Sequence, residues 1–529
     1  MAKVLFINPV VREEDDPRHV PYGIALLAAI AMDQGHRVQV YDENAWRRGE
    51  QTLIEVLQAD SWDVIALGGI TTAYGSLKHI VKLARQQCPQ SNIIIGGGVL
   101  TSLPNEVMQF LPEVDIGVIG EAFQTFPEIL AMIDTGEQQW QDIDGTISRG
   151  HQGKFIISKQ RALLEDLDSL PYPAWDLFPL EDVYFPNSQV LFSEEGMLAK
   201  RRLDINASYG CSLICRYCYH LGIAGDMRYQ PDESGNTQIH FDEPGNYTRT
   251  IRYHSPEYIV KLVKHAYDKY NIDFIGFLDE NLMTMDQYSK RTWLKEITRL
   301  WIECGLQPSC IRDGVEHDEH CRGVHWSGTS HATLCNPETL KMMRQAGCSH
   351  LVYGYESFSR HVMKTIGKGA TPKTNMRSFF WTLESGIRPI PNQIIGFPNE
   401  DFLSIYENME AWKQLGIVVK PFFATPYPGS EWFTVYRDQI MKQYEGDLEK
   451  YLLDLGDATR ITAVISHNFT AVELLGLREL MVNFDYQRIR EHEVYWRKAH
   501  HIADGSPSTV FVSVEPNNSL PKKIAFIKK

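Results

Sequence analysis

Five short apolar runs punctuate the first 120 residues, and segments of helical spacing separate them. KVLFIN at 3–8 stops at Pro9, and QGHRVQVYD ends near Asp42. WDVIALGG runs into Gly68 and Gly69, NIIIGGG into Gly96, Gly97 and Gly98, and VDIGVIGEA into Gly117 and Gly120. Helical stretches fall at 22–34, in TLIEVLQAD, and at 76–87. Apolar strands alternating with amphipathic helices predict a doubly wound parallel sheet, covered on both faces. Ligands of such sheets lie beyond the carboxyl ends of the strands, where glycine admits a close approach to the backbone. Any one glycine group also reads as an ordinary turn; together they mark a ligand edge. A dinucleotide is one candidate ligand, but no G-x-G-x-x-G follows the first strand.

A chain of 529 residues is too long for one core, and about two to four domains are expected. A net charge of −15 argues against nucleic acid or an anionic membrane as the main partner. PYGIALLAAIAM is too short to span a bilayer and reads as a buried helix, so no transmembrane segment is expected. No secretory pattern opens the chain, and a cytoplasmic location is expected. Closely spaced cysteines there serve metal or redox chemistry rather than disulfides.

YGCSLICRYCYH at 209–220 gathers Cys211, Cys215 and Cys218, three of nine cysteines. C-x3-C-x2-C turns three thiolates toward one centre. An iron–sulfur cube has four iron corners, so three cysteines leave one open. A closed zinc site needs a fourth ligand, for which His220 is available. Buried or redox-active cysteines are the third reading. Downstream, FIGFLDENLM at 274–283 is a strand ending in Asp279 and Glu280, two carboxylates suited to an ammonium or ribose, or to capping the next helix.

The C-x3-C-x2-C triplet, with Tyr217 before its last cysteine, resembles the signature of the radical S-adenosylmethionine superfamily. CSHLVYGYESFS at 348–359, PNQIIGFPNED at 391–401 and KPFFATPYPGSEWF at 420–433 resemble its fourth, fifth and sixth barrel strands. The N-terminal region resembles the cobalamin-binding domain of the cobalamin-dependent members of that superfamily, through INP at 7–9, PYGIALLAA at 21–29, GGITTAYG at 68–75, IIGGG at 94–98 and VIGEAFQTFPEIL at 118–130. The resemblance implies a cobalamin domain at 1–140, a packed linker at 141–199, a partial (β/α)6 barrel at 200–430, and a mainly helical C-terminal domain at 431–529.

It also implies sites. Cys211, Cys215 and Cys218 would hold a [4Fe-4S] cluster whose open iron binds S-adenosylmethionine. Tyr217, Asp279, Glu280, Glu356, Ser357, Ile395 and Gly396 would line the S-adenosylmethionine site. Tyr22, Gly68, Gly69, Thr71, Thr72, Tyr74, Ser76, Gly96, Gly97, Gly98 and Glu121 would line the cobalamin site. The D-x-H-x-x-G signature of other cobalamin proteins is absent, and His36 reads as structural rather than as a cobalt ligand.

Two stretches depart from the pattern. Residues 222–250 are polar and read as a long excursion near the substrate cavity. GLQPSCIRDGVEHDEHCRG at 305–323 carries Cys310, His317, His320 and Cys321, with His325 beyond. These residue types bind metals, but C-x10-C is looser than the usual metal loop, and a variable surface or substrate loop is expected. Arg312 and Arg322 offer charges to an anionic group or to solvent. C-terminal helices are expected to cover the barrel, with short strands in TVFVSVEP and KKIAFIKK.

The resemblance implies methylation of an unactivated carbon through a 5'-deoxyadenosyl radical and methylcobalamin, fed by a low-potential donor such as flavodoxin or ferredoxin. The alternative is a non-methylating cyclase or oxidoreductase, resembling anaerobic magnesium-protoporphyrin monomethyl ester cyclase. A noncatalytic cobalamin carrier is a third class. The substrate is expected to be a small molecule, lipid or tetrapyrrole.

Overall fold

The computed structural model describes residues 1–150, 153–213, 215–219, 227–231, 237–241 and 251–500. Strands β1 (Lys3–Asn8), β2 (Arg37–Asp42), β3 (Val64–Gly68), β4 (Asn92–Gly96) and β5 (Ile116–Val118) run parallel in the order β2-β1-β3-β4-β5. Val4–Ile7 and Val64–Leu67 are buried on both faces, so they read as unbroken apolar runs; β2, at the edge, alternates. The chain reverses direction across the sheet between β1 and β3, which opens a crevice at their carboxyl ends. Two antiparallel strands, β6 (Thr146–Arg149) and β7 (Phe155–Ile157), extend the sheet from within the stretch read as linker.

The rest of that stretch is packed down. Trp175 is fully buried against Tyr270. The Ala174 N–H donates to Ala25 O at 2.9 Å, and Tyr184 donates its hydroxyl to Asp42 Oδ2 at 2.5 Å.

Next come β8 (Arg202–Ile205) and four short strands: β9 (Ser208–Tyr209), β10 (Met227–Pro231), β11 (Thr237–Phe241) and β12 (Arg252–Tyr253). β9 pairs with β12, and β10 with β11, both antiparallel. The second sheet then adds β13 (Phe274–Phe277), β14 (His325–Ser330), β15 (Cys348–Glu356), β16 (Arg388–Ile395) and β17 (Phe422–Phe423). Its six strands are all parallel and follow chain order, β8-β13-β14-β15-β16-β17. This is the partial (β/α)6 barrel, and such barrels carry their sites at the carboxyl ends of the strands.

The C-terminal helices bridge both sheets. Glu449, in the helix Leu448–Asp454, accepts from Tyr74 Oη at 2.6 Å and Lys78 Nζ at 2.5 Å. Trp432, Phe433 and Tyr451 join the same apolar core as Leu77, Ile95 and Leu100 of the first sheet. Phe469, Leu477 and Ile489 cover the barrel. Among the described residues no helix is long and apolar enough to cross a membrane. The expected strands TVFVSVEP and KKIAFIKK, and His220, lie outside the described residues, as does part of the 222–250 excursion.

Candidate active site: a cysteine loop against a glycine edge

The cysteine loop leaves β8 through a braced turn. Asp279, at the exit of β13, accepts from Ala207 N at 3.0 Å and from the Ser208 hydroxyl. Burial pushes its carboxyl up to about 6, against the pull of those hydrogen bonds. Asp279 thus holds the backbone before Cys211. Glu280 beside it is exposed, and its charge adds to the burial that pushes the Cys211 and Cys218 thiols up to about 12.

The loop is clamped on its far side. The Cys218 N–H donates to Cys215 O at 3.0 Å, and the Arg216 N–H to Ile366 O at 3.2 Å. The Trp432 N–H donates to Arg216 O at 3.2 Å, and Arg216 Nε to Glu431 at 2.7 Å. Cys211 and Cys215 are buried and Cys218 is half-buried. Three thiols gathered away from water become thiolates only beside a cation, and a soft iron–sulfur centre suits them.

Behind the loop lies a buried ionic group. Glu356 ends β15 at φ +59° and accepts from Tyr217 Oη at 2.7 Å and Lys368 Nζ at 2.5 Å. Burial works against the Lys368 charge, but Glu356 and the thiols of Cys215 and Cys218 outweigh it and raise its pKa. Ser357, fully buried, meets Asn408 Oδ1 at 3.2 Å and accepts from the Ser359 N–H at 3.0 Å. At the end of β16, Ile395 O accepts from the Ala424 N–H, and the Gly396 N–H donates to Glu400 Oε2 at 2.5 Å. Glu356 and Ser357 therefore brace the loop and the strand exit through protein partners.

Other groups at the strand exits lack hydrogen-bond partners. Both amide atoms of Asn281, Ser330 Oγ and Gln393 Nε2 are buried and make no hydrogen bond. They lie just past β13, at the end of β14 and near the end of β16. Native interiors seldom leave such groups unpaired without a ligand to receive them, so the mouth fits a polar molecule such as S-adenosylmethionine.

The glycine edge stands opposite. Gly68 and Gly96 are neighbours in adjacent strands. Gly97 has φ +80°, and a Cβ there would lie 2.8 Å from Gly69 O, so two backbones pack face to face where only glycine fits. A Cβ on Gly98 would overlap the Tyr219 hydroxyl. The residue after the last cysteine thus touches the edge proposed from the glycines. Thr71 is buried, and the Thr72 hydroxyl is buried without a partner. That orphaned hydroxyl beside bare backbone fits a cofactor laid along the strand ends.

The remaining expected contacts have protein partners. Ser76 Oγ accepts from the Val10 N–H at 3.0 Å, and Tyr74 is held by Glu449. Glu121, just past β5, accepts from Arg252 of β12 at 2.9 Å, and Tyr22 is buried against the Asn206 backbone. His36 is buried and accepts from the Ala2 N–H at 3.1 Å, a structural role. Sequence reasoning missed Tyr219, Asn281, Ser330, Lys368 and Gln393. The position of Asn281 and Ser330 at strand exits was the available signal for two of them.

Comparison with known proteins agrees with this geometry. The B12 binding domain family matches residues 9–130, and the Radical SAM superfamily matches residues 205–411. The chain thus carries a B12 binding domain together with a radical S-adenosylmethionine domain, and the cofactors of this pair are a [4Fe-4S] cluster, S-adenosylmethionine and cobalamin. An uncharacterized methyltransferase of Pyrococcus horikoshii is 24% identical over 411 residues, 78% of this chain and 77% of the relative. The anaerobic magnesium-protoporphyrin IX monomethyl ester cyclase of Rubrivivax gelatinosus is 21% identical over 463 residues, 85% of this chain and 72% of the cyclase. The radical S-adenosylmethionine methyltransferase TsrM of Kitasatospora setae, solved with cobalamin and a [4Fe-4S] cluster, shares the fold with a TM-score of 0.60 at 15% identity, covering 83% of this chain and 75% of TsrM.

Proposed function

We propose that this chain is a methyltransferase acting on an unactivated carbon of a small-molecule, lipid or tetrapyrrole substrate. The observation that carries the reading is the contact of Tyr219 with Gly98, which brings the cysteine loop to the glycine edge. Bound at these two edges, the three cofactors supply hydrogen abstraction and a methyl group. An unactivated carbon has no lone pair for polar methylation, which is why both are needed.

The residues divide the work of placement. Cys211, Cys215 and Cys218 hold the cluster and leave one iron corner for S-adenosylmethionine. Lys368 places a buried positive charge near Cys215 and Cys218, which favours the reduced, more negative cluster. Glu280, Asn281, Ser330, Gln393 and Gly396 offer polar contacts to S-adenosylmethionine. Gly68, Gly69, Gly96, Gly97, Gly98 and Thr72 line the corrin, while Tyr22, Thr71, Tyr74, Ser76 and Glu121 support its walls. Orientation is the protein's contribution to such chemistry. The enzyme works in the cytoplasm with a low-potential donor such as flavodoxin or ferredoxin.

The relative named methyltransferase and the fold of TsrM support methyl transfer. The cyclase, matching 85% of the chain, keeps cyclisation as a second reading. The test is anaerobic incubation of reduced holoenzyme with trideuteromethyl-labelled S-adenosylmethionine. Methyl transfer carries the label into the product. An unlabelled, dehydrogenated or oxygenated product establishes the cyclase-type reading instead.

A further inference from the structure

The segment between the helix Trp293–Glu303 and β14 was expected to be a variable loop, yet it folds its scattered Cys and His residues together. A short helix, Ser309–Asp313, is closed by Gly314 at φ +67°. The Ser309 N–H donates to Arg322 O at 2.7 Å and the Val324 N–H to Leu306 O at 2.8 Å, so the segment doubles back on itself. One donor atom from each of Cys310, His317, Cys321 and His325 lies within 4.8 Å of the other three.

We propose that these four residues form a closed tetrahedral zinc site that ties residues 305–325 to the barrel. Zinc with Zn–S of about 2.3 Å and Zn–N of about 2.0 Å sets donor–donor edges of about 3.3–3.8 Å. Cys310 Sγ lies 3.5 Å and Cys321 Sγ 3.9 Å from His325 Nε2. The supporting groups also match a metal site. His325 Nδ1 faces Gly347 O at 3.2 Å, the contact that leaves Nε2 free as a ligand. Cys321 Sγ lies 3.5 Å from both the Cys310 N–H and the Ser309 hydroxyl, which donate to it. His317 Nδ1 is buried without a partner, and its ring meets that of His325 edge-on at 4.7 Å.

Neighbouring polar groups are committed elsewhere. Asp273 accepts from the Lys200 and Arg201 N–H groups at 2.9 and 3.0 Å, and Glu195 pairs with Arg344 at 2.8 Å. His320 is exposed beside Glu319. The donor set is therefore two sulfurs and two nitrogens, with no open position. A two-iron cluster would hold its cysteine and histidine pairs on separate irons, whereas here sulfur and nitrogen share one ion's span. His325 is the first residue of β14, so the site sits at the amino-terminal end of the strands, opposite the cysteine loop. A closed site there is structural.

The test is zinc analysis and zinc-edge X-ray absorption on the full-length holoenzyme, an edge blind to the iron cluster. The expected result is one zinc per chain with a first shell of two sulfurs and two nitrogens. The Cys310→Ser/Cys321→Ser double variant should lose that zinc while keeping its iron. Because the double variant risks misfolding, the unmodified protein carries the decision. Absence of zinc from protein made in zinc-supplemented medium, or a first shell without sulfur, overturns the proposal; so does zinc retained by a folded double variant.

Discussion

Two cysteine-bearing loops sit at opposite ends of one barrel, and they differ in how many donors the protein supplies. The loop after β8 brings three thiols to the carboxyl end of the strands, beside unpaired Asn281, Ser330 and Gln393. The loop before β14 brings four donors to the amino-terminal end, with its acidic neighbours already committed. A fourth protein ligand closes a metal site and turns it into a fold-holding cross-link. Withholding it keeps a corner for substrate. On the proposed assignments, the chain separates chemistry from support by ligand count and by barrel end.

The largest expected effect comes from removing one ligand of the open site. Cys218→Ala should reduce iron content and 5'-deoxyadenosine formation to background while zinc stays at one per chain. Loss of both metals together would break the separation. Second, Lys368→Met leaves the buried Glu356 carboxylate without its counter-charge, held only by the Tyr217 hydroxyl, and should cost about 3–5 kcal/mol in urea unfolding. Adding Glu356→Gln should recover part of that loss, because no charge is then stranded.

The third test uses pH. Burial pushes the Glu400 carboxyl up to about 8 from its usual 4.5, beside Gly396. Below 4.5 both the folded and the unfolded chain hold the proton. Between 4.5 and 8 only the unfolded chain releases it, so Glu400 makes stability fall as pH rises and level off above 8. The drop should be on the order of 4–5 kcal/mol, and Glu400→Gln should flatten it in denaturation measured from pH 5 to 8.5. The smallest effect belongs to the glycine edge. Gly97→Ala should cost about 1–3 kcal/mol, from positive φ and the close approach to Gly69, and should weaken cobalamin retention. Unchanged retention would detach this edge from the corrin.

The sequence carried much of this, for physical reasons. Strands such as Val4–Ile7 are buried on both faces, so their apolar runs stand out. The cysteine triplet is readable because its ligands are local. Contacts between distant residues left no such trace. Tyr219 meets Gly98 from 121 positions away, and Arg252 meets Glu121 from 131. Asp279 was read as a ligand contact because a carboxylate ends a strand; only the fold shows it bonded to Ala207 and Ser208. The grouping of Cys310, His317, Cys321 and His325 was not legible because C-x10-C is judged along the chain, whereas the turn at Gly314 and the start of β14 bring these residues together in space.

The open corner is the central claim, and Mössbauer spectroscopy of the 57Fe-reconstituted protein addresses it most directly. On adding S-adenosylmethionine, one iron of the four in the cluster should change its signal while the other three stay as they were. Four irons that remain unchanged would mean that the loop of Cys211, Cys215 and Cys218 is closed by a ligand of the protein's own, and the account would fail.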